Sequence, residues 1–387
     1  MTKPLWKVPL ADVQMGPEEM QAVKEVLQSG WLSMGPKTQE FEAAFADFLQ
    51  CRHTFAVANG TAALHLACEA VGLKEGDEVL CPALTFVATA NAILYTGARP
   101  VFVDIAGPHD LNLSVEDAAA KVTGRTRAIM VVHYGGYPCD LDRIRELAQR
   151  HRLRVIEDCA HAPGAAYHSR DGLQMAGTLG EVGCFSFFAN KNLTTGEGGL
   201  VATNDAEMAE RLRTLRSHGM TTLTWDRHRG HSFSYDVTAR GYNYRLDELR
   251  AALGLVQLRR LAAGNAKRRE LTRRYREALQ PMSELELPFL NAPEGSSHHL
   301  FPVLLRDPRL RGDFMQHLAQ DGIQTSVHYP PIPRFSFYQG LWPAGHDHRL
   351  PVTEAVADRL VTLPLFPGLT QAQLELVTAS IIGFFRS

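Results

Sequence analysis

The chain has 387 residues, 45% of them apolar and 21% charged, enough for a large α/β unit plus a smaller one around a substantial buried core. This apolar content with little net charge excludes an intrinsically disordered chain. Forty basic against 42 acidic side chains, a formal charge of -2, argue against a dedicated nucleic-acid binder, and no segment reaches the ~18 uninterrupted apolar residues of a membrane span.

The opening MTKPLWKVPL has no apolar run followed by a small-residue cleavage site, so no secretory signal is expected. The cysteines (Cys51, Cys68, Cys81, Cys139, Cys159 and Cys184) have neither C-x-x-C nor metal-ligand spacing. They predict buried thiols in a reducing compartment, a cytoplasmic protein and no metal. From about residue 55 to 205, short runs rich in Val, Ile and Phe alternate with amphipathic ones. Strands are predicted over Phe55–Asn59, Asp77–Cys81, Pro100–Ile105, Arg127–His133, Arg154–Asp158, Val182–Phe187 and Gly199–Thr203. Helices are predicted over Thr61–Val71, Thr85–Tyr95, Asp140–Arg150 and Ala206–Ser217. Strands joined by helical crossovers imply an α/β fold, a mostly parallel sheet covered on both faces.

From Leu246 the pattern changes to long helices, with Leu246, Leu249, Leu253 and Val256 on one apolar face and a basic, half-solvated stretch over Arg259–Arg276. After Pro288 a second αβ pattern predicts a strand over His299–Leu305, a helix over Gly312–Asp321, a strand over Gln324–His328 and two closing helices. Pro330–Pro333 reads as a fixed loop. The expected division is a large unit over residues 1–250, with an N-terminal arm, and a smaller C-terminal α/β unit over 251–387.

Three segments carry chemistry. In Phe185–Gly199, Lys191 lies between an apolar strand and a turn holding Gly196, Gly198 and Gly199. A lysine at the end of a buried strand has its pKa lowered by desolvation, and a neutral amine can form a Schiff base. In Val155–His161, Asp158 ends an apolar strand, where open α/β sheets bind ligands. It suits either a helix cap or a partner for a protonated pyridine nitrogen, which makes such a ring an electron sink. In Ala58–Leu64, a strand–turn–helix junction with Gly60, Thr61 and Ala62 offers free N–H groups to a phosphate.

Together these segments resemble the sugar aminotransferases of the DegT/DnrJ/EryC1/StrS family, and the resemblance covers nearly the whole chain. It also takes in Thr85-Phe-Val-Ala-Thr-Ala-Asn91, His133-Tyr-Gly-Gly, Arg216-Ser-His-Gly219 and Gly241-Tyr-Asn-Tyr-Arg-Leu-Asp-Glu-Leu249. It implies a three-layer, pyridoxal 5'-phosphate (PLP)-dependent transferase fold, with residues 1–250 as the cofactor-binding domain. Lys191 would carry the cofactor as a Schiff base and move the proton, and Asp158 would pair with the ring nitrogen. His161 would meet the phenolic oxygen, Thr61 and Ala62 would offer N–H groups to the phosphate with Ser186 adding its hydroxyl, and Phe86 would stack on the ring. Asn243 would reach the phosphate from a neighbouring subunit of a homodimer, with Arg245 as a rival for that task. The presence of Lys191, where some relatives carry histidine and dehydrate sugars, favours transamination.

The implied partners are small molecules, an amino donor (glutamate or glutamine) and a keto-sugar, with neither nucleic acid nor membrane. Aminotransfer to a cyclitol ketone, an aminobenzoate-type dehydration and a non-catalytic sensor remain alternatives. The loop Trp225–Tyr235, with Arg227, His228, Arg229 and His231, is either a solvated surface loop or a cationic lid. His298, His299, His346 and His348 read as loop or core histidines. His328-Tyr329-Pro-Pro is either a segment near the sugar site or a rigid loop.

Overall fold

The computed structural model describes residues 6–170, 172–222, 234–292, 295–341 and 349–386. Loop residues Arg227, His228, Arg229 and His231, with His346 and His348, lie outside the described residues.

The strands in chain order are β1 His53–Val57, β2 Glu78–Pro82, β3 Arg99–Val103, β4 Ile105–Gly107, β5 Asp110–Leu113, β6 Thr126–Val132 and β7 Arg154–Asp158. They continue as β8 Ala166–Ser169, β9 Gly172–Met175, β10 Val182–Ser186, β11 Gly199–Thr203, β12 Leu285–Glu286, β13 Phe301–Leu305 and β14 Leu360–Leu363. Seven of them form one sheet in the order β1-β11-β10-β7-β6-β2-β3. The β10-β7-β6-β2-β3 stretch is parallel, whereas β11 runs antiparallel to both neighbours. Sequence patterning locates these strands to within about two residues, except that Pro100–Ile105 breaks after Val103 and Ile105 opens the β4–β5 hairpin.

Alternation along the strands builds three layers. Val79, Cys81, Met130, Ile156, Cys184 and Val201 pack on one face with α3 (Gly60–Ala70) and α4 (Ala88–Tyr95). On the other face Phe185, Leu200 and Ala202 meet Phe41 and Phe45 of α2 (Pro36–Leu49) and Leu258 and Leu261 of the helix Glu248–Leu279. That 32-residue helix starts at an Asp247 cap and spans the expected boundary at residue 250. Its buried Glu248 accepts the N–H groups of Gly35, Lys37 and Thr38 at 2.8–2.9 Å, seating the start of α2. The helices α1 (Pro17–Ser29) and α2 are additions to the sequence reading.

The C-terminal unit is an antiparallel sheet β12-β13-β14 backed by the helices Arg311–Gln320 and Gln371–Arg386, around Val303, Phe314, Val361 and Ile381. The strand expected over Gln324–His328 does not form. Only Ser326 bridges to Thr362, and the segment runs on as the loop that carries Tyr329. The strand at this sheet edge is instead Leu360–Leu363, whose continuous apolar run is hard to tell from a buried helix segment by periodicity alone. The N-terminal arm joins this unit, Lys7 N–H donating to the Gly322 carbonyl at 2.9 Å and Val8 pairing with Ile323. No described helix is long and apolar enough to cross a membrane.

Candidate active site

The C-terminal ends of β7 and β10 and the start of α3 surround a cavity of about 440 Å³. The structure places Thr61, Phe86, Asp158, His161, Ser186 and Lys191 on its wall, joined by Tyr329. Ala62 lies just behind it. Its N–H donates to the capping Oδ1 of Asn59 at 2.8 Å, so that donor is engaged. Asn243 is exposed and lies off this wall, bridged to Ser217, and Arg245 pairs with Val57 beside it.

Lys191 stands in the connection between antiparallel β10 and β11. The connection is closed by Phe187 N–H to the Gly198 carbonyl (2.8 Å) and Thr195 N–H to the Phe187 carbonyl (2.9 Å). Its turn passes through Gly196 at φ +79°, a left-handed conformation that favours glycine. Beside Lys191, the Asn192 amide donates to Asn265 and to the Ser297 carbonyl, each at 2.9 Å, anchoring the loop. Burial lowers the lysine to about 8, against the opposing pull of Asp158.

Asp158, 4% exposed, ends β7 and opens no helix. Its Oδ2 accepts from Thr89 Oγ1 at 2.9 Å and its Oδ1 from the Ala160 N–H at 3.1 Å. Burial raises its carboxyl above the usual range, and no cation lies within 4.0 Å among the described residues. The carboxylate is therefore desolvated and oriented, and Lys191 acts on it only through space, beyond ion-pair distance.

His161 accepts the Gly135 N–H at Nδ1 (3.2 Å), which puts its proton on Nε2, 2.9 Å from the Tyr329 hydroxyl. The two rings stack at 16°. Burial, with Lys191 next, holds His161 well below its usual value, so it is neutral. His299 lies against its other side at 4.6 Å and bonds Asn192 Oδ1. At the mouth, the 56% exposed Phe86 contacts Tyr329. At the floor, a Cβ on Gly60 would fall 2.7 Å from Ser186 Cβ, so only glycine lets the start of α3 come this close to β10.

His133, Glu157 and Cys159 cluster beneath Asp158 with potential ligand atoms within 4.8 Å of one another. His133 accepts the Cys139 N–H at Nδ1 and so donates from Nε2 to Glu157, which also accepts from Gly177, Leu179 and Gly180. With these groups engaged, the cluster is a hydrogen-bonded brace for the β7 terminus.

The sequence assigns nothing to Thr89, suggests only a loop or core histidine at His299, and leaves Tyr329 between two readings. Thr89 sits inside the Thr85–Asn91 motif, where a hydroxyl three residues after Phe86 is the available signal.

Comparison with known proteins bears on this arrangement. The model of the DegT/DnrJ/EryC1/StrS aminotransferase family matches residues 13–382. The chain is 40% identical over 372 residues to the spore coat polysaccharide biosynthesis protein SpsC of Bacillus subtilis, covering 95% of this chain and 94% of SpsC. Among solved structures, Helicobacter pylori PseC, an aminotransferase involved in the biosynthesis of pseudoaminic acid, superposes with a TM-score of 0.90 at 29% identity, covering 98% and 99% of the two chains. The PLP-form of Spr1654 from Streptococcus pneumoniae superposes with a TM-score of 0.88 at 28% identity, covering 97% of each. The chain belongs to the DegT/DnrJ/EryC1/StrS aminotransferase family, and it is an aminotransferase.

Proposed function

We propose that this member of the DegT/DnrJ/EryC1/StrS family moves an amino group from glutamate or glutamine to a nucleotide-linked keto-sugar. In this reading it uses PLP, in the cytoplasm, as a homodimer with shared active sites. The observation that carries the reading is the meeting of Lys191 and Asp158 on one cavity wall, an amine lowered to about 8 and a desolvated acid with no ion-pair partner within 4.0 Å among the described residues. The PseC and SpsC likenesses support a sugar substrate, and the PLP-form of Spr1654 supports the cofactor.

The donor set fits the cofactor. The Thr61 N–H and the Ser186 hydroxyl would hold its phosphate at the start of α3, where Asn59 already takes the Ala62 N–H, with Asp158 facing a protonated ring nitrogen, His161 the phenolic oxygen and Phe86 the ring face. Asn243 of a second copy would complete the phosphate site. Residues 1–250 would carry these groups, and 251–387 would contribute Tyr329. When bound, the cofactor supplies the electron sink that makes the donor's Cα–H bond breakable.

The chain's own groups do the rest. Lys191 Nζ supplies the amine that holds the cofactor and, when released, the base that takes and returns a proton. At about 8, roughly a tenth of it is neutral at pH 7. Asp158, kept in place by Thr89 and Ala160, favours a positive charge facing it. His161, kept neutral, donates from Nε2 without adding a competing cation.

The test offers keto-sugars and cyclitol ketones to enzyme first aminated by glutamate, following return of the cofactor's original absorbance. A response to nucleotide-linked keto-sugars supports the reading. A response to cyclitol ketones alone overturns the sugar assignment.

A further inference from the structure

Lys191 borders a second cavity, of about 350 Å³, shared with Asp12 of the N-terminal segment and with Arg260, Gly264, Lys267 and Arg268 of the long helix. The cations on this wall are not equivalent. Arg260 is matched by Glu19 at 2.6 Å and Lys267 by Glu270 at 2.9 Å. Arg268 is only 4% exposed. Its Nη1 donates to the Leu365 and His299 carbonyls at 2.8 and 3.5 Å, and its Nε has no partner. Among the described residues no carboxylate lies within 4.0 Å of it, and burial draws the guanidinium down to about 10. Asp12, the acid on this wall, is exposed to solvent.

A buried guanidinium with carbonyl partners only is an incomplete ion pair, and its planar fork matches carboxylate and phosphate oxygens. We propose that this cavity is an oxyanion site in which Arg268 receives a carboxylate or phosphate group of a substrate that reacts beside Lys191. The inference rests on the aminotransfer reading and deepens it. A dicarboxylic amino donor would bring the anion as a carboxylate, and a nucleotide-linked sugar would bring it as a diphosphate.

Titration calorimetry on the cofactor-loaded enzyme, whose cofactor-phosphate site is filled, separates these sources with succinate in one arm and inorganic diphosphate in the other. Two variants locate the site. Arg268→Gln removes the charge. Gly264→Leu fills the cavity without touching it, since a Cβ there meets only Pro367 Cγ, at 3.7 Å. The expected result is binding of one or both anions to the wild type, weakened at least tenfold in both variants. Succinate binding assigns the donor and diphosphate binding the acceptor. Binding of neither anion, or binding undiminished in Gly264→Leu, overturns the proposal. Cofactor uptake, read separately by absorbance, reports on the functional reading itself, so its failure is distinguishable from failure of the anion site.

Discussion

The Thr89 hydroxyl, on the first turn of α4, donates to Asp158 Oδ2 at 2.9 Å and fixes the carboxylate that ends β7. Thr85 Oγ1 stands 3.2 Å behind it, so a short hydroxyl chain supports the acid from the side opposite the backbone N–H of Ala160. A hydrogen bond to a charged group contributes about 1.5–3 kcal/mol.

Thr89→Val is therefore expected to lower kcat/KM about tenfold or more, ~1.5 kcal/mol by that range. Losing a donor to the charged form raises the Asp158 pKa further, so the acid limb of the pH–rate profile should move to higher pH. Thr89→Ser should restore both values. A pH profile unchanged in Thr89→Val would make the contact a packing detail.

Asp158→Asn keeps the shape and removes the charge. The expected loss is about 100-fold or more in kcat, on the scale of ~3 kcal/mol for one aimed electrostatic contact. Steady-state kinetics decide it, and a loss under about threefold would leave Asp158 only the structural role of accepting from Thr89 and the Ala160 N–H.

The lowered value of Lys191 sets a pH dependence that can be read without substrate. Only the neutral amine attacks an aldehyde, and its fraction rises as pH climbs through about 8. Cofactor uptake by the apoprotein, followed by stopped-flow absorbance, should speed up roughly tenfold between pH 7 and 9 and then level off. A rate still climbing steeply at pH 10 would describe an ordinary solvated lysine.

Asn243 carries the shared-site prediction. Light scattering at micromolar concentration should give twice the 42.9 kDa chain mass. Mixed dimers of Lys191→Ala with an inactive Asn243→Ala should recover activity, because one site per heterodimer keeps both native residues. A fully active monomer would contradict the shared site, and verified heterodimers without activity would place the phosphate contact within one chain.

Much of this architecture is written locally in the sequence. Runs such as Val155-Ile156 ending in Asp158, and Val182 to Ser186 before Lys191, specify buried parallel strands whose ends meet, and that brings Asp158 and Lys191 to one wall. The cofactor roles came from resemblance to a family, since spacing alone leaves Asp158 between a cap and a ring partner. The less legible parts depend on particular side-chain contacts. Tyr329 reaches His161 from 168 residues away, on a segment whose alternation suggests a strand but which makes a single bridge to β14. Asn59 looks like an ordinary residue of a strand end, yet its side chain caps α3 and engages the Ala62 N–H. The Tyr329 contact leaves no periodic signal because it is settled by packing between units far apart in the chain, whereas the Asn59 cap is a local contact across three residues that strand alternation does not mark.

The most direct measurement is borohydride reduction of the cofactor-loaded protein followed by peptide mass mapping. The expected result is cofactor mass on the peptide containing Lys191, and neither trapped cofactor nor turnover in a folded Lys191→Ala variant. Cofactor fixed to another lysine, or trapping and normal turnover in Lys191→Ala, would contradict it.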